Sequence, residues 1–167
     1  DLPRQFSEAA LAEAKALTPN LDAETLNQRV DYRDLFTISL TETSGKEETT
    51  PFIENALTLD QTKQGNWRLG IHIADVAHYV GKDAALDGGA KQRGTAVFLN
   101  DLVIPLFPRQ VQQCASLVPE TDRLAVSVML TLNEMGEIQD FEIQESVIRV
   151  DEQLSYQEAQ SLLGSDK

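Results

Sequence analysis

The stretch that decides the fold is Leu124-Ala-Val-Ser-Val-Met-Leu-Thr-Leu132, in which large aliphatic residues occupy every second position. Strict alternation of this kind predicts a β-strand, because successive side chains of a strand point to opposite faces of a sheet. Turn residues 133–136 follow, and a return strand is predicted from Ile138 to about Val150. The apolar residues of this return strand change parity, so we expect a β-bulge near Gln139-Asp140.

A second alternating stretch, Trp67-Arg-Leu-Gly-Ile-His-Ile-Ala-Asp75, has the same period of two. We expect the large apolar side chains of both stretches to supply the core of a half-buried sheet. The remaining predicted elements are strands at 35–40, 53–59 and 95–99 and helices from the Ser7 cap to Leu17, from Asp22, over 84–93, and from the Ser155-Glu158 capping box to Leu163. The pattern predicts an α+β fold, mainly an antiparallel sheet with flanking helices.

Composition excludes several classes of protein. The 167 residues include 27 acidic and 14 basic side chains, a net charge of −13, which argues against a simple nucleic-acid binder. No DNA partner is expected. The single cysteine, Cys114, cannot form an internal disulfide. No export signal or membrane-spanning run is visible, so we expect a cytoplasmic protein, or one of an organellar stroma or matrix, that is neither secreted nor bound to a membrane. The chain begins at Asp1 rather than Met, which indicates a piece of a longer protein.

The histidines offer little chemistry by themselves. His72 and Asp75 are three residues apart, so in a strand they point to opposite faces and do not form a joint site. Two histidines and one cysteine are too few for a usual zinc site, and a lone strand histidine is more often structural. Composition and spacing alone therefore indicate a soluble α+β domain.

Several ordered blocks resemble the catalytic domain of the ribonuclease II and ribonuclease R family. The blocks are Arg68-Leu-Gly-Ile-His-Ile-Ala-Asp-Val-Ala-His-Tyr-Val80, Arg93-Gly-Thr-Ala-Val-Phe-Leu99, Val103-Ile-Pro-Leu-Phe-Pro108, Cys114-Ala-Ser-Leu-Val-Pro119 and Asp122-Arg-Leu124. Arg29-Val-Asp-Tyr-Arg-Asp34 and Leu154-Ser-Tyr-Gln-Glu158 resemble the family at the two edges. The resemblance covers nearly the whole chain, in order and with matching gaps.

The resemblance implies a domain organisation and a set of partners. Residues 1–34 would be a helical lead-in, and residues 35–167 would be the N-terminal half of an RNB-type catalytic domain. Within it, the polar run 41–51 reads as a flexible loop. The implied partners are single-stranded RNA, the remainder of the RNB domain and RNA-binding barrels, on the same longer protein or on a partner chain.

The implied activity is processive 3′-5′ hydrolysis of RNA with Mg²⁺ held by an aspartate cluster. Here the sequence departs from the family pattern. Ile38-Ser39 stands where Ile-Asp is expected, and Phe52-Ile-Glu-Asn-Ala56 stands where Asp-x-Asp-Asp-Ala is expected. Carried over position by position, Glu54 and Asn55 are the candidate catalytic and metal residues, while Ser39 and Phe52 supply no charge, so Mg²⁺ binding should be weak. Loop residues that could substitute are Glu42, Glu47 and Glu48.

The same resemblance assigns an RNA-binding role to Phe98, which would stack on a base near the 3′ end. Lys91 and Arg93 lie in the only basic stretch and could contact phosphate, although Arg93 could equally be a structural partner of a carboxylate. Two hypotheses follow. The protein is a working exoribonuclease, or it is a degenerate member that keeps the fold and acts as an RNA-binding or assembly module.

Overall fold

The computed structural model describes residues 5–42, 52–99 and 102–164. The chain divides into two compact units, one formed by residues 1–20 and 75–115 and the other by residues 21–74 and 116–167. We call the first the helical unit and the second the sheet unit. The predicted boundary between residues 34 and 35 rests on the family resemblance and stays a prediction.

The helical unit is built from three helices and one hairpin. Its elements are α1 (Glu8–Ala16), a short 3-10 helix (Val76–His78), α3 (Ala85–Arg93), the strands β5 (Val97–Leu99) and β6 (Leu102–Ile104), and α4 (Arg109–Ala115). Its core contains Ala10, Ala14, Leu86 and Val111. Ala84, the N-cap of α3, has no side chain that can cap the helix, and the carboxylate of Glu13 accepts hydrogen bonds from the Ala85 and Leu86 amides at 2.9 Å instead. A side chain of α1 thus satisfies the first amides of α3.

The sheet unit contains one seven-stranded sheet and two helices. Its strands are β1 (Val30–Asp31), β2 (Thr37–Thr41), β3 (Asn55–Gln61), β4 (Trp67–Ala74), β7 (Asp122–Leu132), β8 (Ile138–Arg149) and β9 (Glu152–Ser155), and its helices are α2 (Ala23–Asn27) and α5 (Tyr156–Gly164). The strand order is β1-β8-β7-β4-β3-β2-β9. The β1–β8 and β2–β9 pairs are parallel and the other four are antiparallel.

The predicted fold class is confirmed: the protein is α+β with a mainly antiparallel sheet. The predicted bulge is also present, because Thr131 pairs with Asp140 and Leu132 with Ile138, which leaves Gln139 as the extra residue. The sequence pattern did not identify β1, β6, β9 or α4. The three strands have only two to four residues each, too short to display a period.

The expectation that the large apolar side chains of β4 and β7 supply the core is wrong for most of them; Leu124, near the start of β7, is the exception and is only 1% exposed. The buried face of the sheet, which we call the inner face, carries small and polar residues such as Ala56, Gly70, His72, Ala125 and Ser127. The core cluster on this face combines Met129 of β7 and Ile148 of β8 with Tyr32, Ile53, Leu117 and Val150, which lie outside the strands. Trp67 and Ile73 lie on the opposite, outer face, where they are exposed. Bulky residues from outside the strands fill most of the space over this face, so most strand positions there carry small side chains.

Part of the predicted flexible loop 41–51 lies outside the described residues, which resume at Phe52. Among the helices of the part of the chain that the structure describes, none is long and apolar enough to cross a bilayer.

Candidate functional site

The four positions of the expected metal cluster lie on β2 and at the start of β3. Ser39 is in β2 on the inner face and is only 1% exposed. Its Oγ is buried and has no hydrogen-bond partner among the described residues. Burying a hydroxyl without a partner is unfavourable, so this position is not optimised for a serine.

Phe52, Glu54 and Asn55 differ sharply in environment. Phe52 is partly buried and packs against the inner-face core, whereas the side chains of Glu54 and Asn55 are exposed. The backbone of residues 52–55 is held by two hydrogen bonds. The Ile53 amide donates to Ser116 Oγ at 2.9 Å, and the Glu54 carbonyl accepts from the Ala74 amide at 2.9 Å. The segment is anchored to its neighbours while its two polar side chains reach solvent.

These residues do not fit a Mg²⁺ centre. A site for this hard cation needs near-octahedral oxygen ligands and usually more than one carboxylate. Glu54 is the one carboxylate among the four positions, Asn55 offers a neutral carbonyl, and Ser39 is buried in the sheet. Within residues 5–42, 52–99 and 102–164, no group of three or more His, Cys, Asp or Glu side chains is arranged to hold a metal ion. Glu42 is exposed, and Glu47 and Glu48 lie outside the described residues.

A chain of hydrogen bonds crosses the inner face beside this segment and joins β3, β4, β7 and β8. His72 Nε2 lies 3.2 Å from Thr58 Oγ1, and His72 Nδ1 lies 2.6 Å from Ser127 Oγ. Ser127 Oγ lies 2.5 Å from Ser146 Oγ, which donates to the Ala125 carbonyl at 3.1 Å. All four side chains of this polar chain are at most 5% exposed.

The polar chain has a single consistent direction. Each hydroxyl carries one proton, and Ser146 uses its proton on a carbonyl, so Ser127 donates to Ser146 and must accept from His72 Nδ1–H. His72 Nε2 is then an acceptor for the Thr58 hydroxyl. This assignment requires a neutral imidazole, which agrees with burial lowering the pKa of His72 from 6.5 to about 4. His72 is therefore a neutral structural residue.

Gly70 is required by this arrangement for reasons of space. It pairs with Thr58 on β3 and Met129 on β7. A Cβ at position 70 would lie 2.2 Å from Thr58 Oγ1, 2.9 Å from His72 Nε2 and 3.0 Å from Met129 Sδ. The Gly-x-His pattern of β4 thus makes room for the Thr58–His72 hydrogen bond.

Two aspartates of the blocks that resemble the family, Asp122 and Asp75, also have structural partners. Asp122, the first residue of β7, accepts hydrogen bonds from Arg33 at 2.8 Å and from Arg149 at 2.6 and 2.8 Å. Burial alone would raise the pKa of Asp122, but the two guanidinium groups hold that pKa below its usual range. Asp75 caps the 3-10 helix by accepting from the His78 amide. Asp122 and Asp75 therefore serve the scaffold.

The three predicted RNA-binding residues all belong to the helical unit but have different surroundings. Phe98 is in the β5–β6 hairpin and is 76% exposed. The Arg93 guanidinium lies 4.0 Å from the Phe6 ring centroid and donates to the carbonyls of Gln5 and Gly89. Lys91 forms ion pairs with Asp83 and Asp87 at 3.2 and 2.7 Å. Only the Phe98 side chain is presented to solvent without a described polar or charged partner.

Net charge differs strongly between the two units. The sheet unit carries 20 acidic and 8 basic residues, a net charge of −12, whereas the helical unit carries 7 acidic and 6 basic residues, a net charge of −1. Phosphate is repelled by a surface of high negative charge, so the nearly neutral helical unit repels a polyanion less than the sheet unit does.

The residues of the polar chain are those that sequence reasoning missed. Thr58, Ser127 and Ser146 are small polar residues inside strands that otherwise contain mainly aliphatic residues on alternate positions. Strand pairing puts these small polar residues on the same face of the sheet as His72. A polar residue on that face of each strand is the signal that could have identified them.

Comparison with known proteins assigns the family. The RNB domain family matches residues 29–167, which is most of the chain. The chain belongs to the RNB domain family. The predicted membership of the ribonuclease II and ribonuclease R group is thereby confirmed.

Among curated relatives, this RNB chain is 36% identical over 163 residues to the acetazolamide conferring resistance protein zam of Synechocystis, covering 98% of this chain and 21% of that protein. It is 34% identical over 163 residues to ribonuclease R of Chlamydia muridarum, covering 97% of this chain and 23% of the relative. The chain thus spans about a fifth to a quarter of the length of these relatives.

Two solved structures share the fold of this RNB chain. Mycoplasma genitalium RNase R in complex with ribose methylated single-stranded RNA has a TM-score of 0.88 at 24% identity, covering 99% of this chain and 25% of that one. Yeast Ssd1, described as a pseudonuclease, has a TM-score of 0.78 at 25% identity, covering 89% of this chain and 18% of that one. The fold therefore occurs both in an RNase R and in a pseudonuclease.

Proposed function

We propose that the protein is a catalytically degenerate RNB-family member that binds single-stranded RNA without hydrolysing it efficiently. The observation that carries the proposal is the composition of the four metal positions. They hold one exposed carboxylate, one amide, one buried hydroxyl and one phenyl ring, at Glu54, Asn55, Ser39 and Phe52.

The physical argument is electrostatic. Phosphodiester hydrolysis by this family requires a metal-activated water and positive charge on the leaving oxygen. A single carboxylate holds a strongly hydrated dication weakly and does not fix its geometry. The fold around the altered positions is held by the polar chain through His72 and by the ion pairs of Asp122 with Arg33 and Arg149. Retained scaffold with altered ligands is the pattern of a protein that kept binding after losing chemistry, and the fold shared with the pseudonuclease Ssd1 supports it.

RNA binding is proposed for the helical unit, through stacking on Phe98. A base stacked on an exposed aromatic ring gains about 1–3 kcal/mol, and the ring needs no charged neighbour. Mycoplasma genitalium RNase R is described in complexes with single-stranded and with double-stranded RNA, which supports an RNA ligand for this fold. Arg93 and Lys91 would contact RNA only by giving up the contacts they make within the unit.

The remaining expected partners stay proposals. The remainder of an RNB domain and RNA-binding barrels would complete the protein, because this chain spans only about a fifth to a quarter of its relatives.

The test is an RNA degradation assay on the protein as it is encoded in full. A single-stranded RNA labelled at every nucleotide is incubated with the protein and Mg²⁺ or Mn²⁺, and binding is measured in parallel. We expect a shifted complex and no appreciable release of mononucleotides, with Glu54→Gln behaving like the parent protein. Rapid metal-dependent release that Glu54→Gln abolishes would show a working exoribonuclease and overturn the proposal.

A further inference from the structure

The segment before and through α1 runs antiparallel to α3 and contacts it at both ends. We call residues 5–16 the N-terminal segment. At the start of α3, the carboxylate of Glu13 accepts hydrogen bonds from the first two amides of the helix. At the other end, Arg93 donates to the Gln5 carbonyl at 2.6 Å, and its guanidinium lies 4.0 Å from the Phe6 ring centroid. The N-terminal segment therefore spans the whole length of α3.

The sequence of α3 makes it a weak helix by itself. It has nine residues, and Gly88 and Gly89 stand in its middle. Isolated helices shorter than about 12 residues are marginal in water, and glycine is the least favourable residue in a helix interior after proline. The stability of α3 therefore depends on tertiary contacts, among them those with the N-terminal segment.

The end of α3 is the base of the hairpin that carries Phe98. Gly94 is the C-cap of α3 and turns the chain with a φ of 73°, a conformation that favours glycine. Phe98 follows four residues later, in a hairpin whose two strands have three residues each. A two-stranded hairpin is marginally stable by itself. The position of the Phe98 ring therefore depends on the structure at its base.

Arg93 is the side chain that joins the N-terminal segment to this base. It is the last residue of α3, directly before Gly94. Besides its bond to Gln5, it donates to the Gly89 carbonyl at 3.3 Å, and its Nε is buried. The donors of the guanidinium are thus directed at groups of the helical unit and not at solvent.

We propose that Arg93 is a positioning residue for RNA binding. By holding residues 5 and 6 against the end of α3, it fixes the point from which the hairpin presents Phe98 to a base. The proposal rests on the proposed stacking of RNA on Phe98. A ring that is ordered before the base arrives binds more tightly, because a ring that is ordered only on binding loses conformational entropy at that step.

The test is a double-mutant cycle in the protein as it is encoded in full. Binding of a fluorescein-labelled single-stranded oligoadenylate is measured by anisotropy in EDTA. Arg93→Met keeps an apolar stem and removes the guanidinium, and Phe6→Leu removes the ring but stays apolar. The matched control is Arg109→Met, which removes a positive charge from an exposed position of α4 in the same unit. Each variant is made in the parent protein and in the Phe98→Ala background.

We expect Arg93→Met and Phe6→Leu each to weaken RNA binding by about three- to tenfold, less than Phe98→Ala does, because the ring is still present. In the Phe98→Ala background neither should weaken binding further, because the ring that they position is absent. Arg109→Met should bind RNA like the parent protein.

Two measurements separate positioning from a direct phosphate contact. Losing one phosphate contact lowers the slope of log affinity against log salt by about one, whereas a positioning residue leaves that slope unchanged. Arg93→Lys should bind RNA about as weakly as Arg93→Met, because an ammonium has no planar fork to lie over a ring while it donates to two carbonyls. Melting temperatures taken alongside identify any variant that does not fold.

The possible failures are distinguishable. Unchanged binding in folded Arg93→Met, with a loss in Phe98→Ala, overturns the positioning role and leaves the stacking; Phe6→Leu decides if Arg93→Met does not fold. An equal loss in the Phe98→Ala background, or recovery in Arg93→Lys with a reduced salt slope in Arg93→Met, shows a direct contact and also overturns it. Unchanged binding in Phe98→Ala overturns the proposed stacking and this proposal together.

Discussion

His72 Nδ1 lies 2.6 Å from Ser127 Oγ, and this contact between β4 and β7 is the centre of a polar chain that crosses four strands. The imidazole is fully buried and neutral, and its two nitrogens have opposite roles, one donating and one accepting. Protonating it would place a second donor against the Thr58 hydroxyl and a charge inside the sheet. The stability of the protein is therefore linked to pH through this residue.

The first prediction concerns this linkage. Burial lowers the pKa of His72 to about 4 from 6.5, so between these pH values the unfolded chain binds a proton that the folded protein does not. The free energy of unfolding therefore keeps the full contribution of neutral His72 above about pH 6.5. It falls by up to about 3 kcal/mol as the pH drops from 6.5 towards 4. Urea unfolding at pH 7.5 and pH 5 measures this fall.

The matched control is the other histidine. His72→Gln should flatten the pH dependence in that window, and His78→Gln should leave it unchanged. Asp31, whose pKa a hydrogen bond from Arg33 lowers to about 2, affects stability only at lower pH. An equal pH dependence in His72→Gln and the parent protein would contradict the assignment.

The second prediction compares two glycines. Gly70→Ala should destabilise the protein by about 2–4 kcal/mol, because its Cβ would overlap Thr58 Oγ1 and displace the bond to His72. Gly88→Ala, in α3, meets nothing within 4 Å and should stabilise by about 0.5–1 kcal/mol. Thermal melts of both variants give the sign directly, and a neutral Gly70→Ala would show that the sheet can adjust at this point.

The third prediction compares two buried serines. Ser39→Ala should be neutral or stabilising by about 1 kcal/mol, because its hydroxyl has no described partner. Ser127→Ala should cost about 1–3 kcal/mol, because it leaves His72 Nδ1–H and Ser146 unsatisfied. Denaturant unfolding at pH 7.5 distinguishes them. A marked loss in Ser39→Ala would mean that the hydroxyl has a partner outside the described residues.

The fourth prediction is that folding is independent of divalent metal. The inner-face core is formed by apolar contacts and the polar chain by hydrogen bonds between its own residues, and the described residues contain no group of three or more His, Cys, Asp or Glu side chains arranged to hold a metal ion. Melting temperatures in EDTA and in 10 mM Mg²⁺ should therefore nearly coincide. A rise of many degrees with Mg²⁺ would reveal a native metal site, since a ligand that binds the folded state raises its stability.

The fifth prediction separates stacking from packing at Phe98. Phe98→Ala should weaken single-stranded RNA binding by about 1–3 kcal/mol, and Phe98→Tyr should change it little. Because Phe98 is exposed, neither variant should lower the melting temperature appreciably. Phe36→Ala removes another exposed ring and should bind RNA like the parent protein. Binding that is unchanged in Phe98→Ala would exclude the stacking role.

Much of this protein could be determined from its sequence. Alternation in residues 124–132, the parity change at Gln139 and the caps at Ser7, Asp22 and Ser155 are local signals, and local backbone geometry follows from them. The family could also be identified from the sequence, because several blocks match the family's blocks in the same order and with similar gaps. The departure at Ser39, Phe52, Glu54 and Asn55 was visible for the same reason.

Only the tertiary structure decided which face of each strand is buried. Alternation defines two faces, but the face that becomes the core depends on what covers it. Here Ile53 and Leu117, distant in sequence, belong to the core over the small residues, and most of the large aliphatic residues of β4 and β7 are left on the outer face. The same holds for charged groups: Arg93 and Lys91 find their partners within the helical unit. The period of the sequence pattern predicts which side of a strand a side chain points to. Whether that side chain is buried, and which group it contacts, depends on distant segments that only folding brings together.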